Sequence, residues 1–500
     1  MGQLRPMGLS LESDCDSSDM DDAEHGHGPH GHGPPDESDD VVPSLQVYPI
    51  QVKRRIASDF AFSFSWPERV LSSLKRLFGE ENVFSCLFGA TRSISTHFSG
   101  VGSAELAIQM LATAGRHLFR AELSLETVFS CDCSASCQAA LKKRSPGKCI
   151  FANLLHRFGG GGGGSAPAIF GSEGSAPVLL ARHVREGLLD FRACGKALLS
   201  SPLSEGSSCK VHGADCSFGH VDIDVSGSPC QPWSTIGKRK GRLDHRTALI
   251  FAWLAWLRHA RPRAAIHENV VGFDVKVLEE LVGDMYFIRT ILMSPSDMGF
   301  PFMLRPRNYS LLIRRQGRRG TPPESMQALY DAVVRDMTYQ APEEAMAWAF
   351  CAPREELLAV ENAARSKKGF PPLCGGPTSD WTYLLTDGQQ LRLDAYEARA
   401  TDATGMRVFD LGQNVGWSAG KAKLPTFRTN TATLWSRELR RWMTKKERWA
   451  CMGFPVYDTL ASAAHVPVDD IAARAPNFCI GNAMHVANVG CAIALSCLCI

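Results

Sequence analysis

The sequence predicts an α/β fold, a mostly parallel sheet covered by helices on both faces. Three observations predict it. Strand-like and helix-like stretches alternate over much of the chain, the mark of βαβ units. The conspicuous motifs fall at the carboxyl ends of the strand-like stretches, where such sheets bind ligands. With 44% hydrophobic and 21% charged residues, the composition is that of a soluble globular protein. Five hundred residues exceed one ordinary domain, or make one large domain with insertions.

The elements follow in order. SISTHF reads as a strand, and SGVGSAELAIQMLATAG as a Gly-rich turn feeding a helix. ETVFSCD is a strand followed by the helix SASCQAALKKR, and KCIFANLL is another strand. HVDIDV is a strand before the turn GSPCQPWS, and TALIFAWLAWLRHA is a helix. RAAIHENV ends a strand, FDVKVLEELVG is a helix, and YFIRTILM and YSLLIRR are later strands. The run ALIFAWLAWL is too short to span a bilayer and reads as a buried helix. The terminal CLCI has the outline of a prenylation box, but it ends in isoleucine and has no basic run before it. The buried end of a helix is the better reading.

Residues 1–45 are acidic and rich in Ser, Gly and Pro, as disordered tails are. Their His25, His27, His30 and His32 are a biased tail or a weak metal site. Residues 46–90 form an N-terminal extension. A Gly-rich stretch from Gly159 reads as a flexible insertion reaching to about 215. A net charge of +2 leaves any nucleic-acid binding to local basic patches. The 17 cysteines are odd in number and irregularly spaced, and no secretory signal precedes them. Reduced thiols in the nucleus or cytoplasm are expected, not secretion. Cys131, Cys133 and Cys137 fit no common zinc spacing, and no metal site is expected.

Each motif carries a plain reading beside a chemical one. Phe98, Ser99, Gly100 and Gly102 form either a tight turn or a backbone cradle at a helix N-terminus. Asp132 ends a strand, where an acid is a cap or holds a ribose diol. Cys230 lies on a Pro-Cys turn at a strand end, as a packing residue or an exposed nucleophile. Glu268, followed by Asn269 to brace the turn, is a helix-capping acid or a proton donor. Arg305 and Arg307 stand two residues apart, hence on one strand face, and pair with surface carboxylates or clamp an anion. Thr444 and Glu447 have the spacing of a capping box. Asn482 caps the last helix or touches a ligand.

Taken in order, FSGVG, the acidic strand end, PCQ, ENV, RPR, TKKE with GFP, and GNA resemble the cytosine-5 DNA methyltransferase family. The resemblance covers roughly 91–158, 218–315 and 424–495. It implies a Rossmann-like S-adenosylmethionine-dependent sheet at 91–315 and a smaller target-recognition lobe at 316–423. Residues 424–500 would then return to the catalytic core. By resemblance Cys230 is the nucleophile that attacks carbon 6 of a flipped-out cytosine, and Glu268 acts on the ring nitrogen and amine. Arg305 and Arg307 contact the base carbonyl. The cofactor lies against Phe98, Ser99, Gly100, Gly102, Asp132, Asn153 and Asn482. The partner is DNA, contacted by Lys238, Arg239, Lys240 and Arg242 of a mobile basic lid. No membrane is implied and no protein partner is identified. An RNA-directed (tRNA) relative and an inactive nucleic-acid-binding relative remain open alternatives. The sequence departs from the family at four places. Thr96 stands where the first strand usually has an acid, Asn153 where an Asp is usual, the Gln before the arginine pair is missing, and the Gly-rich insertion is extra.

Overall fold

The computed structural model describes residues 59–121, 125–158, 199, 203–234, 239–317, 321–338, 345–400, 405–416, 423–429 and 433–500. All of them belong to one compact unit, Gln46–Ile500. The acidic, His-containing tail, the N-terminal extension up to residue 58, most of the Gly-rich insertion and Lys238 lie outside the described residues.

The central sheet has seven strands. They are β1 (Arg92–His97), β2 (Leu125–Cys131), β3 (Cys149–Phe151), β6 (Ile223–Ser226), β7 (Ala264–Val270), β8 (Tyr286–Met293) and β9 (Arg307–Arg314), in spatial order β3-β2-β1-β6-β7-β9-β8. A hairpin of β4 (Gly206–Ser208) and β5 (Asp215–Ser217) precedes β6. The pairs from β3 across to β7 are parallel. The chain runs outward from β1 to β3, then returns to the other side of β1. That reversal places a topological switch point between the carboxyl ends of β1 and β6.

The expectation of a mostly parallel sheet holds with one exception. β9 inserts antiparallel between β7 and β8. The connection from β8 to β9 holds only the short 3-10 turn Pro295–Met298, not a crossover helix,. Because β9 runs backwards, its first residue lies at the carboxyl edge of the parallel strands.

Helices cover both faces. α1 (Trp66–Phe78), α2 (Ser103–Phe119) and the last helix, α10 (Val486–Cys497), pack together, with α10 also against β7 and β9. A second core under the other face gathers α4 (Ala248–Ala260) and α5 (Lys276–Val282) with Phe129, Phe151, Ala265 and Leu312. α3 (Ala135–Arg144) follows β2. Every residue of α10 is buried, as are Leu498, Cys499 and Ile500. The stretch Phe478–Cys497 is apolar enough for a membrane, but 83% of its most apolar window is buried inside the protein. A side chain at Gly490 would collide with the Trp66 ring, so only glycine lets α10 approach α1 this closely,.

A smaller core forms around Trp381, Tyr396, Phe409 and Trp435. It is built from α7 (Arg354–Lys367), α8 (Asp387–Glu397) and a three-stranded antiparallel sheet, β10 (Val408–Asp410), β11 (Leu434–Ser436) and β12 (Arg441–Trp442). Its limits differ from the interval 316–423. α6 (Met326–Met337) packs on α1, where Ser73 Oγ donates to Asp336 and Arg69 to the Met337 carbonyl. The segment from 434 to 442 completes the small sheet. α9 (Lys445–Cys451) starts with the expected capping box of Thr444 and Glu447.

Candidate active site

β1 ends in a turn whose backbone enters the left-handed region three times. Phe98, Gly100 and Gly102 have φ of 52°, 57° and 85°. Gly102 caps the N-terminus of α2 in the left-handed conformation that glycine adopts without strain,. Ser99 ties the turn to β2. Its amide donates to the Cys131 carbonyl at 3.1 Å, and its Oγ accepts the Cys131 amide at 2.9 Å. Asp132 completes the tie. Its two carboxylate oxygens accept the Gly100 and Ser134 amides, each at 2.8 Å. Burial raises the Asp132 pKa, against the pull of those amides,. Asn153 caps the 3-10 turn Leu154–Arg157, its Oδ1 accepting the Leu155 amide at 3.0 Å.

A narrow cleft opens at the switch point. Thr96, Phe98, Ser99, Gly100 and Ser103 line it from the β1–α2 side, Val225 and Gly227 from β6, and Asn482 and Met484 from the last part of the chain. Asn482 is exposed at its rim. It does not cap the last helix, whose cap is His485. The departure at Thr96 has a local counterpart. Glu105, 4% exposed on α2, accepts hydrogen bonds at Oε1 from Thr96 Oγ1 (2.6 Å) and Ser130 Oγ (2.5 Å). Its Oε2 is buried with no partner among the described residues. A carboxylate therefore stands beneath the cleft although β1 has none. Sequence reading missed it, because one acid in the first turn of a helix looks like an ordinary dipole partner.

Beyond β6, the chain Gly227-Ser228-Pro229 carries Cys230 to the same edge of the sheet. The loop is pinned from β7. Asn269, fully buried, donates from Nδ2 to the Ser228 carbonyl (3.3 Å) and Oγ (3.1 Å). His267 Nε2 lies 2.7 Å from Ser228 Oγ, with its ring stacked on Trp253. Alternation along β7 puts His267 and Asn269 on the α4 face and Glu268 on the opposite one. Glu268 pairs across the sheet with Tyr309, so Arg307 is its diagonal neighbour on the same face,. Arg307 Nε reaches Glu268 Oε1 at 3.2 Å. Glu268 Oε2 lies 3.7 Å from where a side chain at Gly227 would begin, so the carboxylate borders the Cys230 loop. Burial first, and then the Glu268 charge, push the Cys230 thiol pKa up, while Arg307 and Arg305 pull it down. Cysteine, carboxylate and guanidinium thus share one electrostatic neighbourhood beside the cleft.

Arg305 does not share a strand face with Arg307. Pro306 separates them and, lacking an N–H, leaves the strand to start at Arg307,. The Arg305 guanidinium turns inward, 3% exposed, and donates to the carbonyls of Phe427 (3.4 Å), Gly481 (3.0 Å) and Ala483 (2.7 Å). Burial, then Arg307, lower its pKa to about 10. Its geometry is that of a brace holding the Asn482 segment against the Cys230 region, not of a group in contact with a base.

The basic loop also differs from expectation. Arg242 is held by Asp274 (2.8 Å) and by both oxygens of Glu280 (2.8 and 2.9 Å), so its guanidinium is committed to α5 and the turn before it. Arg246 is held by Asp244. Arg239 and Lys240 are exposed.

The donor set suits S-adenosylmethionine. The N-terminus of α2 favours an anion, Asp132 has a carboxylate suited to a diol, Glu105 lies behind the lining residue Thr96, and Phe98 offers a ring,. Oxygens that already accept one bond, as in Asp132 and Asn153, can accept a second.

A family model described as C-5 cytosine-specific DNA methylase matches residues 204–497. The orphan methyltransferase M.Rho11sI of Bacillus phage rho11s is 39% identical over 79 residues, 13% of this chain and 16% of its own length. The type II methyltransferase M.BanI of Aneurinibacillus aneurinilyticus is 33% identical over 93 residues, 17% of this chain and 22% of its own. The chain thus matches about a fifth or less of the length of the relatives first compared. Among solved structures, the S. pombe Dnmt2 methyltransferase aligns over 81% of this chain and 98% of its own, with a TM-score of 0.40 and 13% identity. A putative DNA modification methyltransferase encoded within an E. coli prophage aligns over 81% and 98%, with a TM-score of 0.39 and 14% identity.

Proposed function

We propose, from the premise that this chain belongs to the C-5 cytosine-specific DNA methylase family, that it methylates carbon 5 of cytosine in DNA through a covalent bond to Cys230. The observation that carries the proposal is the meeting of Cys230, Glu268 and Arg307 at the sheet edge beside the β1–β6 cleft.

Carbon 5 of cytosine is a weak nucleophile until a group adds at carbon 6. In this reading Cys230 loses its proton and Sγ bonds to carbon 6, which shifts ring electrons toward carbon 5. Glu268, oriented by Arg307, holds a proton or hydrogen bond at the ring nitrogen and amine, and so stabilises the charge that builds there. S-adenosylmethionine, when bound, supplies the methyl group. Phe98, Ser99, Gly100, Gly102 and Asn482 would hold its methionine end, with Asp132 at the ribose and Asn153 at the base. Glu105 provides the carboxylate that Thr96 does not. Once carbon 5 carries the methyl, loss of its proton breaks the carbon–sulfur bond and restores Cys230. A stacked base cannot reach this cleft, so the cytosine is flipped out of the duplex. Arg239 and Lys240, together with Lys238, are assigned to backbone phosphates. Arg305 is assigned to positioning.

The test is transfer of radiolabelled methyl from S-adenosylmethionine to duplex DNA and to tRNA in parallel, with bisulfite sequencing of the DNA. Label in DNA as 5-methylcytosine, absent with Cys230→Ala, is expected. Label in tRNA alone, or in neither, overturns the proposal.

A further inference from the structure

Cys149 opens β3, and the β4–β5 hairpin brings Cys209, His212 and Cys216 against it. The four ligand atoms lie within 4.8 Å of one another. His212 Nδ1 is 3.6 Å from Cys149 Sγ, 3.4 Å from Cys209 Sγ and 3.3 Å from Cys216 Sγ. Hydrogen bonding does not account for this arrangement. An imidazole nitrogen carries at most one proton in one direction, and so serves one sulfur, not three. A tetrahedral ion does account for it. Bonds of about 2.3 Å to sulfur and about 2.0 Å to nitrogen set a sulfur–nitrogen edge of about 3.5 Å.

We propose that Cys149, Cys209, His212 and Cys216 form a closed, structural zinc site. Thiolate and imidazole donors select zinc over the oxygen-seeking divalent ions. Four protein ligands leave no open position, which marks a structural rather than a catalytic site. The spacing Cys-x-x-His-x-x-x-Cys is that of a tight turn folded around an ion, and the backbone is shaped accordingly. Cys209 N donates to the Ala214 carbonyl (2.9 Å), Gly213 N to the Cys209 carbonyl (3.0 Å), and Val211 N to Cys209 Sγ (3.4 Å). The last is a bond that a thiolate accepts more strongly than a thiol.

The site has a clear task in the fold. β3 is three residues long and stands at the end of the sheet, with an open edge,. The hairpin covers that edge through an antiparallel bridge between Phe151 and Cys209 and a 2.8 Å bond from Lys210 N to the Ile150 carbonyl. A shared ion fastens the returning chain there, after the long excursion through the Gly-rich segment. The closure entropy of that excursion is then offset by metal ligation instead of by core packing. Asn153 lies two residues past β3, so the ion also steadies one wall of the cofactor region. The expectation of no metal site is thereby replaced, and the replacement stands whether or not the chain methylates DNA.

The experiment is metal analysis and zinc-edge X-ray absorption on the full chain, purified under reducing conditions with zinc supplied. One zinc per chain is expected, with three sulfurs at about 2.3 Å and one nitrogen at about 2.0 Å. A variant with His25, His27, His30 and His32 all changed to alanine must keep it, and Cys149→Ser or Cys216→Ser must lose it. If the serine variants do not fold, the first shell of the wild-type protein decides alone. A shell of nitrogen and oxygen only, zinc well below one per chain, or a disulfide among Cys149, Cys209 and Cys216 in that preparation overturns the proposal.

Discussion

Cys230 is a thiol whose surroundings hold its proton on in the free protein. Burial is the larger cause and the Glu268 carboxylate the next, with Arg307 and Arg305 opposing both. This fixes the sign of a simple experiment. In Glu268→Gln the opposing charge is gone, the Cys230 pKa falls, and alkylation of Cys230 by iodoacetamide at pH 8, mapped by peptide mass spectrometry, becomes faster. Methyl transfer by the same variant is expected to fall by about 10²-fold or more, because the proton donor is lost. Slower alkylation would show that Glu268 does not face the sulfur. Both residues were legible in the sequence, since each sits at a strand end inside a short, ordered motif. The role of Arg305 was not. Spacing of two suggested one strand face, but Pro306 ends the strand first, and the carbonyls that Arg305 braces come from segments more than a hundred residues away.

Among the elements, the β1–α2 turn does the most to make the cleft, and its carboxylate has moved from strand to helix. Glu105 Oε1 takes both hydroxyl donors, which leaves Oε2 buried and without a partner among the described residues. Such an oxygen costs stability unless a ligand's donor or cation meets it. Glu105→Gln keeps the side-chain shape, and is expected to weaken S-adenosylhomocysteine binding by about tenfold, measured by calorimetry, with little change in melting temperature. Unchanged affinity would make Glu105 a purely structural acid. The parallel strands and their helices could be read from alternation alone, YFIRTILM falling on β8 residue for residue. The reversed direction of β9 could not, because an apolar run has the same appearance in either direction. The zinc ligands escaped for another reason: Cys149 and the hairpin are separated by a low-complexity segment, and no local spacing joins them.

At the scale of the whole molecule, folding buries histidines that must stay neutral. Burial lowers His267 and His485 to about 3, and it lowers His97 as well, between Asp224 and Arg157. An unfolded chain protonates histidine near pH 6.5, so between about 6.5 and about 3 the unfolded state binds more protons and stability falls as pH falls. Each of His267 and His485 contributes up to about 1.4 kcal/mol per pH unit across that window. Asp132, with its raised pKa, offsets a part near the acid end. The melting temperature is expected to drop between pH 7.5 and pH 5.5, and a flat profile would contradict the buried, neutral assignment. The same folding brings together residues 230, 268 and 307, which no local interaction connects, and the account rests on that assembly. Its most direct test is a trapping reaction of the full chain with S-adenosylmethionine and duplex DNA containing 5-fluorocytosine, where the carbon-5 substituent cannot leave as a proton does. A stable protein–DNA adduct linked through the peptide that holds Cys230 is expected, and none with Cys230→Ala. No adduct, or one that persists in that variant through another cysteine, would contradict it.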